Sequence, residues 1–183
     1  IVNAGDEVII PAPYWVSYPQ MVLLAEGTPV YIDAPIEQDF KITPEQLEQA
    51  ITPKTRAIIL CSPSNPTGSV YSKDELEALK NVLLKHENVI VIADEIYEHI
   101  NYIGEHASMA MFDDIKDRVV IINGVSKAYA MTGWRIGYTG STPEIAKLMS
   151  SIQSHATSNP NSIAQKAALE AISGPQEAVE EMR

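Results

Sequence analysis

Apolar residues along the chain fall in short unbroken runs, separated by polar stretches with helical spacing. Glu7–Ile10, Thr28–Ile32, Arg56–Cys61, Val89–Ala93, Val119–Asn123 and Arg135–Thr139 read as strands, several of them almost pure Val and Ile. Tyr14–Ala25 reads as a helix ended by Gly27. Thr43-Pro44-Glu45 opens a second helix, with Thr43 as N-cap and Pro44 at the first helical position. Ser72 caps a third that runs to about His86, and its Ser-x-x-Glu spacing to Glu75 makes a capping box. Two further helices are expected over Pro143–His155 and Ser162–Ser173. Gly104–Asp117 carries neither pattern and is expected to be the least ordered stretch.

Strands that are apolar at nearly every position are buried on both faces, and strands alternating with helices need crossover connections. Together these predict an α/β fold with a mostly parallel sheet flanked by helices. A length of 183 residues suits one domain, or one domain and part of another.

Composition narrows the partners. Lys and Arg number 13 against 24 Asp and Glu, giving 13 − 24 = −11. A surface this acidic repels phosphate backbones and anionic lipid, so neither nucleic acid nor a membrane is an expected partner. No apolar run approaches the ~18 residues of a membrane span, and no signal-peptide pattern is visible. Cys61 is the sole cysteine, so no intrachain disulfide forms, which fits a reducing cytoplasm. The first residue is Ile1, Asn3–Glu7 reads as a turn already entering a strand, and Gln176–Arg183 reads as the middle of an acidic helix. The chain is therefore expected to be a piece of a longer protein.

The unusual polar residues follow strands, where open α/β sheets bind ligands. Ser62-Pro63-Ser64-Asn65-Pro66-Thr67-Gly68 follows the third strand, Asp94-Glu95-Ile96-Tyr97 the fourth, and Asn123-Gly124-Val125-Ser126-Lys127 the fifth. One pocket could gather Asn65, Asp94, Tyr97 and Lys127. Each also has a plainer reading: Asn-Pro-Thr-Gly as a turn, Asp94 as a helix cap, Lys127 as a solvated lysine. Glu95 and His99 are four apart, but no third ligand is evident, so no metal site is expected.

These three segments, with Gly133-Trp134-Arg135-Ile136-Gly137-Tyr138 and Pro11-Ala12-Pro13-Tyr14-Trp15-Val16-Ser17-Tyr18-Pro19, resemble the signature of pyridoxal-phosphate (PLP) aminotransferases of class I and II, fold type I. The likeness covers nearly the whole chain and is nearest to the bacterial aspartate aminotransferase branch. It implies that Lys127 is the Schiff-base lysine and proton carrier, that Asp94 holds the pyridine nitrogen's proton, and that Asn65 and Tyr97 donate to the phenolic oxygen. It further implies that Arg135 binds the phosphate, with Ser126 a weaker second, and that Trp15 stacks on the ring. Some members carry a hydroxyl residue three before the lysine, where this chain has Gly124.

By the same resemblance, residues 1–183 would be the large PLP-binding domain, without the N-terminal arm and the small C-terminal domain that carries the substrate-carboxylate arginine. Ser158-Asn159-Pro160 resembles a segment that family dimers present to the neighbouring subunit. Ala12–Pro13 and Asn65–Pro66 become candidates for cis peptides. The implied reaction is transamination between an amino acid, aspartate foremost, and 2-oxoglutarate by a homodimer in the cytoplasm. The isolated chain would be inactive. Alternatives are aromatic, alanine or prephenate transamination, β-elimination, or a non-catalytic α/β binding module.

Overall fold

The computed structural model describes all 183 residues. Its centre is a six-stranded sheet built from β1 (Glu7–Ala12), β2 (Thr28–Asp33), β3 (Thr55–Cys61), β4 (Ile90–Asp94), β5 (Val119–Gly124) and β6 (Gly137–Gly140), in the order β2-β1-β3-β4-β5-β6. Every neighbouring pair is parallel except β5 and β6, which run antiparallel at one edge. The mostly parallel α/β sheet expected from the apolar runs is thus observed.

Alternation within the strands divides the core in two. Ile9, Ile58 and Leu60 point to one face, where they meet Leu47 of α2 (Pro44–Ala50) and Leu76, Leu79 and Leu83 of α3 (Lys73–Leu83). Val8, Ile10, Ala57 and Ile59 point to the other, under Tyr18 and Val22 of α1 (Ser17–Leu24). Ile9 and Ile58 are fully buried, and each such side chain contributes about 1.5–3 kcal/mol. Continuous apolar strands are what this two-sided burial demands. Beyond the sheet come α4 (Pro143–Ala156), α5 (Ser162–Ser173) and the short α6 (Glu177–Met182).

Both capping boxes form. Thr43 accepts from the Gln46 N–H and Gln46 returns to the Thr43 N–H, while Ser72 and Glu75 exchange the same pair. Three elements differ from expectation. The first helix starts at Ser17, not Tyr14, because the Tyr14 ring stacks on Tyr31 of β2 at 5.2 Å and holds its segment against the sheet. The edge strand starts at Gly137, because Arg135 takes a left-handed conformation (φ 57°) after a 3-10 turn over Thr132–Trp134. Third, Gly104–Asp117 is not the loose segment expected. Ala107, Met109, Phe112 and Ile115 are all buried in the larger core, held by 3-10 turns whose spacing matches neither strand nor helix templates.

Candidate functional site

Strand register decides which loops meet. Cys61, the last residue of β3, pairs with Asp94 at the end of β4, and Asp94 pairs with Ile122 of β5. The chain segments leaving these three positions therefore emerge side by side at one sheet edge, as the open α/β geometry requires. Asn65 follows β3 by four residues, Tyr97 follows β4 by three, and Lys127 lies in the turn after β5.

These segments line one cleft of about 410 Å³, within the size range of small-ligand sites. Trp15, Asn65, Asp94, Tyr97, Ser126, Lys127 and Arg135 all line it. All seven residues that the resemblance assigns to the cofactor are thus brought to one cleft. Lys127 Nζ stands over the Tyr97 ring, 5.5 Å from its centroid, where the ring quadrupole attracts the ammonium. Ala12–Pro13 and Asn65–Pro66 are cis, as is Ser62–Pro63.

Sequence reading missed two polar members of the wall, Tyr18 and Thr132. Tyr18, on the first turn of α1, donates its hydroxyl to Asp94 Oδ2 at 2.6 Å. The other carboxylate oxygen, Oδ1, accepts the Ile96 N–H at 3.3 Å. Burial, with neighbouring Cys61 and the Asp94 carboxylate adding to it, pushes the Tyr18 phenol far above its ordinary range, so it remains a donor at any pH the protein meets. Burial likewise raises the Cys61 thiol, keeping it protonated. The signal available was the Trp15-x-x-Tyr18 spacing at a helix start, which places both rings toward one side; they meet edge to face at 5.5 Å. Thr132 was also missed. It lines the cleft, donates its hydroxyl to the Ser126 carbonyl at 2.9 Å, and its own carbonyl accepts from Arg135 Nη1 at 3.0 Å. Arg135 and Ser126 are therefore tied into one loop at the mouth.

Glu95 and His99 do not form the helical pair considered from their spacing. His99 pairs with Glu98 at 3.2 Å. The partner of buried Glu95 is His106, whose Nε2 lies 3.0 Å from Oε2, while Ser108 donates to Oε1 at 2.6 Å. Glu95, Glu98 and His106 bring ligand-type atoms within 4.8 Å of one another. Both Glu95 oxygens are already occupied, and the cluster serves to tie residues 106–108 to the end of β4. Arg118 lies away from the cleft and ties the end of α3 to the connection that follows it, donating to the Leu83, His86 and Val89 carbonyls.

The family profile for "Aminotransferase class I and II" matches residues 1–183. The chain belongs to the class I and II aminotransferases. It is 57% identical over 185 residues to an aspartate aminotransferase of Geobacillus stearothermophilus, covering 100% of this chain and 47% of that protein. It is 58% identical over 177 residues to the aspartate/prephenate aminotransferase of Nitrosomonas europaea, covering 96% of this chain and 45% of that one. The crystal structure of the Rhizobium meliloti aspartate aminotransferase superposes with a TM-score of 0.97 at 49% identity, over 99% of this chain and 46% of that one. The chain spans about half the length of the aminotransferases it matches.

Chemically, the cleft of this aminotransferase chain combines an amine, a carboxylate anchored on its protein side, an amide, a phenol, an indole and a guanidinium. That set suits a flat aromatic ligand carrying an anionic group. Arg135 offers a bidentate fork to the anion, and Trp15 offers a face to the ring.

Proposed function

We propose that this chain is the large cofactor-binding domain of a PLP-dependent aminotransferase that moves the amino group of aspartate to 2-oxoglutarate. The observation that carries the reading is the arrangement of Lys127 over Tyr97 in the same cleft as Asp94, Asn65, Trp15 and Arg135. The donor set fits the cofactor group by group: an amine for the aldehyde carbon, a carboxylate for the ring nitrogen, two donors for the phenolic oxygen, and a guanidinium for the phosphate.

When bound, the cofactor supplies an electron sink for the carbanion at the substrate α-carbon. Lys127 would hold the aldehyde carbon, and its amine would move the proton at the substrate α-carbon as base and then acid. Asp94 would keep the ring nitrogen protonated through a charge-assisted contact, roughly twice as strong as a neutral hydrogen bond. Asn65 and Tyr97 would donate to the phenolic oxygen, Arg135 would take the phosphate with Ser126 beside it, and Trp15 would cover the ring.

Aspartate is favoured by relatives named aspartate aminotransferase at 55–57% identity. Prephenate is the second amino acceptor to consider, because relatives at up to 58% carry both names. No helix is long and apolar enough to cross a membrane. A cytoplasmic homodimer belongs to the same proposal. Its support is the unpaired thiol of Cys61 and the exposed apolar side chains Leu148, Ile152, Ile163 and Leu169 on α4 and α5.

Titration with PLP, followed by absorbance, tests the reading. A saturable new absorption band is expected for the protein, and none for Lys127→Ala. An unchanged band in that variant overturns the assignment of Lys127, and no band in the unmodified protein overturns PLP binding by this chain.

A further inference from the structure

Asp94 is gripped on both oxygens from the protein side. Tyr18 Oη donates to Oδ2 at 2.6 Å and the Ile96 N–H donates to Oδ1 at 3.3 Å. Two donors on two oxygens fix the carboxylate plane about its last side-chain torsion, which is otherwise broad and soft. The Ile96 contact is local to the Asp94 turn. The Tyr18 contact spans 76 residues and ties the end of β4 to α1. Tyr18 is itself 6% exposed and packed with Val8, Ile10 and Ile59, so the hydroxyl has little freedom to leave. Trp15 lies three residues before it, in edge-to-face contact with its ring. One short segment therefore supplies the indole face of the cleft and the clamp on the carboxylate beneath it.

We propose that Tyr18 is a positioning residue that acts through Asp94, holding the carboxylate in the orientation in which it meets the ring nitrogen of a PLP-type cofactor. This deepens the proposed function and rests on it. Tyr18 need not touch the cofactor. Its contribution is to prepay the ordering of Asp94, so that binding does not have to freeze a mobile carboxylate. Without the hydroxyl, one oxygen of a half-buried carboxylate loses its partner and the group can rotate away or recruit water.

A double-mutant cycle tests this. PLP affinity is measured by absorbance for the complete protein, Tyr18→Phe, Asp94→Asn and the double variant, at a temperature where melting curves show all four folded. The Phe variant keeps the ring and its packing, so core filling is preserved. Tyr18→Phe is expected to weaken PLP binding by about tenfold when Asp94 is present, the scale of one charge-assisted hydrogen bond. With Asn at position 94, the same change is expected to have little effect, because the carboxylate charge that Tyr18 orients is gone. The pH dependence of the bound cofactor's absorption band should move with Tyr18→Phe in the first background and stay fixed in the second. A structural role alone would lower the melting temperature equally in both backgrounds and leave that pH dependence in place. Equal losses in the two backgrounds would overturn the positioning role while leaving PLP binding intact. Absence of binding by the unmodified protein would overturn the functional reading, and this proposal with it.

Discussion

Arg118 reaches back along the sheet's lower edge to Leu83, donating Nη2 to the Leu83 carbonyl at 3.1 Å. Its Nη1 donates to the His86 and Val89 carbonyls, both at 2.9 Å. The last carbonyls of a helix have no partners within it, and here the side chain just before β5 reaches one of them, Leu83, together with two carbonyls of the connection to β4.

Arg118→Ala should therefore destabilise the fold without touching the cleft. Losing three charge-assisted contacts to partly buried carbonyls is expected to cost roughly 2–3 kcal/mol. Urea denaturation would show a lower midpoint with unchanged PLP affinity. A loss below about 0.5 kcal/mol, the range of ordinary surface substitutions, would mean water replaces the guanidinium freely.

Lys41 and Glu75 predict a pH signature. Lys41 Nζ lies 2.7 Å from Glu75 Oε1. Burial alone would raise the Glu75 carboxyl, but the Lys41 contact and the Ser72 N–H outweigh it and the net shift is downward. Burial would lower the Lys41 ammonium, but Glu75 and Asp39 outweigh it and the net shift is upward. A depressed carboxyl contributes stability above its unfolded pKa, near 4.3, which is lost as pH falls through the folded value. A raised ammonium contributes below its unfolded pKa, near 10.4, and the contribution is lost as pH rises through the folded value. Lys41→Met should then cost about 0.5 kcal/mol at pH 7, modest because Glu75 is well exposed to solvent. The difference from the unmodified protein should close at both strongly acid and strongly alkaline pH. A gap independent of pH, measured by denaturation at pH 3, 7 and 11, would assign the loss to packing of the lysine stem.

Gly124 explains a departure from the family pattern. A Cβ there would lie 2.8 Å from the Ile136 carbonyl oxygen and 3.1 Å from Gly137 Cα. The close pairing of β5 with β6 leaves no space for a hydroxyl-bearing side chain three residues before Lys127. Gly124→Ser should lower the melting temperature, at a cost of about 1–3 kcal/mol from overpacking, and should weaken PLP binding rather than add a phosphate donor. Tighter binding by that variant would show that the edge strand yields.

Asp94→Asn should cripple transamination in the complete protein while sparing the fold. A neutral amide cannot hold the pyridinium proton electrostatically, yet its carbonyl can still accept from Tyr18. Circular dichroism should be unchanged and turnover should fall by at least a hundredfold, about 2.7 kcal/mol of barrier. Turnover like that of the unmodified protein would remove Asp94 from the mechanism.

Strands β3, β4 and β5 were legible because burial on both faces leaves an unmistakable Val/Ile run, and the site residues because they follow those runs directly. Helix starts at Thr43 and Ser72 were legible because capping is local chemistry. What was hidden depended on distant partners. Nothing near Tyr14 announces that its ring will stack on Tyr31, nothing near Arg135 requires φ 57°, and Met109 and Ile115 are buried from a segment without period. Tyr18 was hidden because its partner is 76 residues away, and Arg118 because its acceptors are backbone atoms that no side-chain pattern records.

The register that aligns Cys61, Asp94 and Ile122 also has a kinetic consequence. Every wall of the cleft comes from a different crossover unit, and no two of its polar residues from different strands can meet until the strands between them have paired. Such non-local contacts form slowly, because each loop must close before its pairing is rewarded. A cleft complete with Lys127 and Arg135 needs β5 and β6 in place, so ligand binding can report the completion of the sheet.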